Sequence, residues 1–327
     1  MSQPATRRTF VASAVAIAIA MTFPILTRED TVRAGTSGTP AASTLGQFCL
    51  PELNVTVTTD SLSGMPASVA AGRYLLKVNA QADPTGKSDL SLAILQLPAG
   101  ITLNDVEAES KSSATPAAES GPPVWFYDAL LPGGVTVMPG QPSEIVMDLT
   151  PGDWLAGAGN LATPPFEFTV TGEMPGKLAE PKSNATITYR DFSIEMTAAE
   201  LKSGENIVRI ENAGSQPHEL LLMRGPDGMT KDQLKGAIEA EMTGTPVAGG
   251  LNPNTDLVPV AGTNDQSAGT TTWVPFNLEP GTYAALCFFS DKNSDMPHAA
   301  MGMYNVFQVK DSRVMRVTND AEGWTYA

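Results

Sequence analysis

Hydrophobic and polar positions alternate over short stretches of this chain, and Gly and Pro interrupt them at close intervals. Val208 and Ile210 alternate with Arg209 and Glu211, while Tyr283, Ala285 and Cys287 share one face of a strand opened by the Pro280-Gly281 turn. Successive side chains of a strand point to opposite faces, so this alternation predicts half-buried sheets. One stretch has helical spacing instead. Thr230 can cap it with Gln233 three residues on, and Leu234 and Ile238 supply an apolar stripe. A twin of this helix is expected to begin at Thr102. Residues 108–123 and 243–271 are rich in Gly, Pro, Ser and Thr, and both read as long surface loops in corresponding places.

The pattern repeats. Leu92-Ala93-Ile94-Leu95-Gln96-Leu97-Pro98-Ala99-Gly100-Ile101-Thr102 lines up with Leu220-Leu221-Leu222-Met223-Arg224-Gly225-Pro226-Asp227-Gly228-Met229-Thr230. Further on, Leu149-Thr150-Pro151-Gly152-Asp153-Trp154 matches Leu278-Glu279-Pro280-Gly281-Thr282-Tyr283, at nearly the same offset of 128 or 129 positions. Two matches in register argue for one fold used twice. Residues 47–172 and 184–310 are the two blocks, 173–184 the linker between them, 35–46 a flexible lead-in and 311–327 a C-terminal tail. Many short strands in two sheets predict an all-β chain of two tandem sandwiches, each with a short helix.

Composition narrows the chemistry. Among 327 residues, 20 Lys and Arg face 35 Asp and Glu, a formal charge of −15 that offers nucleic acid no basic surface. Two Cys and two His exclude a disulfide scaffold, a Cys-rich zinc module and a multi-copper centre. No Gly-Xaa-Ser-Xaa-Gly elbow and no phosphate loop is present. Residues 1–34 read as a signal peptide: Arg7 and Arg8 precede an apolar run from Phe10 to Leu26, and Val32-Arg33-Ala34 offers a cleavage site. Thr6-Arg7-Arg8-Thr9-Phe10-Val11 resembles the twin-arginine signal. Cleavage leaves 16 basic and 33 acidic residues on a periplasmic or extracellular protein. A membrane enters only through an uncleaved N-terminal segment.

The scarce ligand-type residues cluster in the second block. His218 ends the run Asn212-Ala213-Gly214-Ser215-Gln216-Pro217-His218, Cys287 closes a strand, His298 follows after ten intervening residues, and Met303 after four more. One thiolate, two imidazoles and a thioether could converge. Cys287 has two further readings, an inert buried thiol or a disulfide with Cys49, and Met301 and Met296 compete with Met303.

Here residues 184–310 resemble the cupredoxins, the blue copper proteins. The resemblance is carried by the opening strand Ala185 to Phe192, the Asn212 to His218 loop, and Gly281-Thr282-Tyr283 leading to Cys287, His298 and Met303. It implies a Greek-key β-sandwich and a copper ion held by His218, Cys287, His298 and Met303, since a thiolate, two imidazoles and a weak thioether suit both copper oxidation states. One departure stands out: the segment between Cys287 and His298 is longer than the family's handful of residues. The preceding block looks like a degenerate, metal-free repeat. Leu90 falls opposite His218, Ala158 opposite Cys287, and the matching loop is shortened to Gly159-Asn160-Leu161-Ala162-Thr163-Pro164-Pro165. Its aromatic run Trp125-Phe126-Tyr127 reads as strand core. The implied function is single-electron transfer to a redox partner protein rather than catalysis. A Cu(I) carrier and a metal-free protein-binding module are the alternatives.

Overall fold

The computed structural model describes residues 43–58, 61–80, 91–106, 108, 122–137, 143–158, 165–196, 201–245, 250–310, 317–320 and 323–326. The expected signal peptide, most of the lead-in, most of the 108–123 loop and Gly159–Pro164 lie outside them.

The chain is mostly β. In order, the first block supplies β1 (Glu52–Val57), β2 (Leu62–Ser63), β3 (Ser68–Ala70), β4 (Gly72–Ala80), β5 (Ser91–Gln96), β6 (Gly134–Thr136), β7 (Glu144–Leu149), β8 (Gly152–Ala158) and β9 (Phe166–Thr171). The second supplies β10 (Ala185–Arg190), β11 (Ser193–Met196), β12 (Gly204–Asn212), β13 (His218–Gly225), β14 (Val258–Gln266), β15 (Thr271–Leu278), β16 (Gly281–Leu286) and β17 (Tyr304–Val309). Pairings recur between blocks. β1 lies parallel to β4 as β10 does to β12. β5 sits between β6 and β8 as β13 sits between β14 and β16. Beyond β17, Val317–Asp320 and Gly323–Tyr326 pair as a separate antiparallel hairpin in the expected tail.

These strands form two large sheets that each continue through both blocks. One has eight strands, in the order β11-β10-β12-β15-β7-β4-β1-β2, and the other nine, β17-β16-β13-β14-β6-β5-β8-β9-β3. The blocks join where Trp273 pairs with Val146 and Thr263 with Val135. One buried core extends from Leu53 and Val55 to Phe307 and Val309.

The expected loop at 243–271 is a correction, because it contains the short helix Pro253–Asp256 and the whole of β14. The sequence hid this strand because its inner half is polar. Thr263, Asn264, Asp265 and Gln266 are all buried at the seam between blocks. For Asn264 and Gln266, polar partners make that burial tolerable. Asn264 Nδ2 donates to the Leu92 carbonyl at 3.0 Å, and its Oδ1 accepts from the Thr136 hydroxyl at 2.9 Å. Gln266 Nε2 donates to the carbonyls of Ile210 and Thr270.

Helix α1 (Lys231–Thr243) forms as its pattern requires. Thr230 and Gln233 make the reciprocal capping box, and Gly244 ends the helix in the left-handed region at φ 64°. Leu234 and Ile238 pack with Met223, Leu286 and Ala299 on the outer face of the nine-stranded sheet. Strand β16 is consequently buried on both sides, with Tyr283 and Ala285 facing the main core and Ala284 and Leu286 facing the helix. In the first block, residues 103–106 are helical, and the Asp105 N–H donates to the Thr102 hydroxyl at 3.3 Å. Among the described residues no helix is long and apolar enough to cross a membrane.

Candidate metal centre

Two loops at one end of the nine-stranded sheet bring the ligand-type side chains together. The first runs from Asn212 to His218. Asn212 organises it by donating to the Gln216 and Gln266 carbonyls at 2.8 and 2.7 Å and accepting the Gly214 N–H at 2.9 Å. His218, wholly buried, opens β13. Its Nε2 lies 2.8 Å from Oδ1 of Asp191, in the turn between β10 and β11. The same carboxylate accepts the Ser215 N–H and, at 2.6 Å, the Ser215 hydroxyl. Gly214 leaves room for this contact: a Cβ there would come within 2.8 Å of His218 Nε2 and closer still to Asp191 Oδ1.

The second loop leaves β16 at Cys287, which is fully buried. The Cys287 N–H donates to the Met303 carbonyl at 3.2 Å, and its carbonyl accepts the Ala299 N–H at 2.7 Å. Its Sγ accepts the Glu219 N–H at 3.5 Å. The long Cys287-to-His298 segment folds back through its own hydrogen bonds. Asp291 donates its N–H to the Met296 carbonyl and accepts the Asp295 N–H, while its carboxylate accepts from Asn293 and Ser294. Gln216 clamps this segment to the first loop, donating to Asp291 Oδ1 at 2.8 Å and accepting the Lys292 N–H at 3.0 Å. His298, also wholly buried, donates its N–H to the Phe289 carbonyl at 2.8 Å. Its ring lies among those of His218, Phe192 and Phe289, with centroids 4.7, 5.0 and 5.8 Å away.

The three ligand-type atoms converge. The Nδ1 atoms of His218 and His298 are 2.9 Å apart, and Cys287 Sγ lies 3.9 Å from the first and 3.5 Å from the second. Met303 is fully buried in the same core cluster as Cys287 and donates its N–H to the His298 carbonyl at 2.9 Å. Met301 is half-buried, and Met296 is 40% exposed. The alternative of a Cys49–Cys287 disulfide is not seen: both thiols are free, with Cys49 exposed and Cys287 buried. The fold keeps them apart, one capping the turn Leu45–Phe48 and the other inside the core.

Electrostatics make these groups donors. Burial would raise Asp191, but hydrogen bonds from Ser215 and His218 outweigh it and hold the carboxyl below its ordinary range. An ionised Asp191 accepts a hydrogen bond from the His218 Nε2–H, which leaves Nδ1 as a lone pair facing His298. Burial lowers His218 against the pull of Asp191, and burial with repulsion from His218 lowers His298 to about 3. Both imidazoles are therefore neutral at pH 7. Burial, then repulsion from Glu219, pushes the Cys287 thiol well up, so it keeps its proton until a cation takes that place. His298 Nε2 is buried without a hydrogen-bond partner among the described residues. A sulfur and two imidazole nitrogens, shielded from water and with one imidazole oriented by a carboxylate, fit a soft to borderline metal ion such as copper.

Asp191, Gln216 and Asp291 were not legible as parts of the site, since each acts through contacts between distant segments. Nor was Glu219, a buried carboxyl raised to about 7 by burial against a hydrogen bond from the Phe288 N–H. Asp265, in the polar seam, is raised well above its ordinary range by burial and by repulsion from Glu219. Trp125, Phe126 and Tyr127 are a correction. They belong to a short 3-10 turn, Val124–Asp128, set against the Cys287-to-His298 segment. The aromatic run gave no alternation with polar residues, which a half-buried strand would require.

No family model and no curated protein matches the chain. Among solved structures it is similar to a dithionite-reduced auracyanin from the photosynthetic bacterium Roseiflexus castenholzii, at 21% identity over 38% of this chain and 94% of that one, with a TM-score of 0.26. It is similar to auracyanin A, a "blue" copper protein from Chloroflexus aurantiacus, at 17% identity over 38% and 96%, TM-score 0.25. A multi-copper oxidase from Pediococcus acidilactici covers 81% of this chain and 60% of its own at 9% identity, TM-score 0.20. At such low scores the centre's own geometry carries the weight. Paired β-sheets end here in two loops that bring one cysteine and two histidines together.

Proposed function

We propose that this protein is an exported blue-copper-type electron carrier in which His218, Cys287, His298 and Met303 would hold one copper ion. The observation that carries the reading is the buried triangle of Cys287 Sγ and two Nδ1 atoms. Bound copper supplies the gain and loss of a single electron. The chain's own residues supply the rest. Asp191 fixes the His218 tautomer, the Glu219 N–H supports the sulfur, and the packed loops exclude water and hold both rings in place.

In this reading the chain is two fused Greek-key units, residues 47–172 and 184–310, each with a short helix, and only the second holds metal. It is an electron carrier rather than an enzyme, because two histidines leave none for a second copper centre. Export through the twin-arginine-like segment would place it in the periplasm or outside the cell. An acidic chain of formal charge −15 suits a neutral or cationic redox partner, with association that slows as salt rises. Delivery of Cu(I) is the second reading, favoured by Met296, which is 40% exposed within the segment between Cys287 and His298.

Adding cupric ion to the metal-free protein should produce an intense visible thiolate-to-copper band, and Cys287→Ser should abolish it. A colourless wild-type complex would refute the electron-carrier reading. Tight colourless binding of cuprous ion, without reversible one-electron redox, would favour delivery.

A further inference from the structure

Resting on the copper reading, we propose that the first block is a working part of the metal centre: Phe126 and Tyr127 position His298 by clamping the segment that carries it. Ten residues separate Cys287 from His298, enough for the imidazole to wander unless something fixes the chain between them. The outer part of that segment is tied by Asp291 and Gln216. Its inner part, nearest the sulfur, has the Phe288 N–H on Glu219 of its own block and is otherwise held from the other block.

The Tyr127 hydroxyl donates to the Ser290 carbonyl at 3.0 Å, a contact between residues 163 positions apart. The Phe126 ring stacks on Phe289 with centroids 6.1 Å apart and planes 20° apart, and the Tyr127 ring meets Phe289 edge-on at 5.5 Å. Lys292 Nζ lies 3.3 Å from Asp128 and 5.7 Å from the Tyr127 ring. Phe289 in turn touches the His298 ring at 5.8 Å and accepts the His298 N–H. A single residue thus separates the first block from a ligand ring. Phe126 and Phe289 are each only 6% exposed, so the contact is part of the core. Donor atoms must be held to a fraction of an ångström, and support of this kind is what holds them. Phe126 and Tyr127 are positioning residues acting through Phe289.

The test uses the full chain with Phe126→Leu and Tyr127→Phe, separately and together. Three quantities are followed: cupric affinity, the position of the visible band, and amide hydrogen exchange over residues 288–298 in the metal-free protein. The double variant should lose about tenfold to a hundredfold in affinity, the range typical of residues supporting a metal ligand. Its band should shift, and exchange over 288–298 should quicken while helix α1 stays protected. Tyr127→Phe removes one hydroxyl, is the variant surest to fold, and should move all three readouts less, in the same direction. A wild type that binds copper, with variants matching it in all three, would overturn this inference and leave the copper reading standing. Lower thermal stability with an unchanged band and unchanged exchange would overturn it as well. A wild type that takes up no copper removes both.

Discussion

The two halves of the nine-stranded sheet are built alike at one end and differ at the other. In the first block the Trp154 indole N–H donates to the Thr150 carbonyl at 2.8 Å, and the ring stacks on Phe168 of the next strand. In the second, the Tyr283 hydroxyl donates to the Glu279 carbonyl at 2.7 Å, and the ring stacks on Phe307. Each aromatic residue follows a Pro-Gly turn by the same spacing, so both corners are one device. At the far ends of these strands the likeness stops. Ala158 pairs with Leu92, whereas the register Leu221 to Leu286 puts Cys287 one step beyond, beside two imidazoles. A sheet scaffold can therefore be kept while its chemistry is gained or lost at strand ends, where side chains leave the ladder and loops take over.

The comparison can be broken hardest at the carboxylate behind His218. Asp191→Asn should weaken copper binding about tenfold to a hundredfold, because the imidazole loses its charged orienting partner. Isothermal titration and the visible band check this, and unchanged affinity would mean that the tautomer is set elsewhere. Next comes Gly214→Ala, whose Cβ would crowd His218 Nε2 and Asp191. Overpacking of this kind costs about 1–3 kcal/mol, read as a lower urea midpoint of the metal-free protein, with a further loss of affinity. The smallest effect tests what the blocks share. Tyr283→Phe should cost about 1 kcal/mol for one hydrogen bond, and Trp154→Phe somewhat more for its smaller ring. Neither should move the visible band. A band shift in Tyr283→Phe would show that the corner and the centre are coupled.

Helix α1 was legible because everything that makes it is local. Thr230 and Gln233 cap each other within one turn, and the buried Leu234 and Ile238 lie on one stripe. Three of the residues expected at the site, His218, Cys287 and His298, do meet in one cluster, and a chain with two His and two Cys has few candidates for it. What supports them could not be read. Asp191 is 27 residues from His218, and Gln216 is 75 from Asp291, with no pattern joining either pair. Strand β14 was hidden for a related reason: Thr263, Asn264, Asp265 and Gln266 look like loop residues until their burial at the seam is known.

By itself, the order of residues determined a mostly β chain, one capped helix and the residue types available for a metal. Those follow from side-chain alternation, turn chemistry and composition, which act over a few positions. Only the tertiary structure decided that both sheets run unbroken through the two blocks, that Cys287 meets His298 and His218 rather than Cys49, and that Phe126 and Tyr127 leave their own block to brace the other. The physical reason is that burial and hydrogen-bond satisfaction are settled between segments far apart in the chain, where a polar residue's partner is fixed by packing and not by spacing.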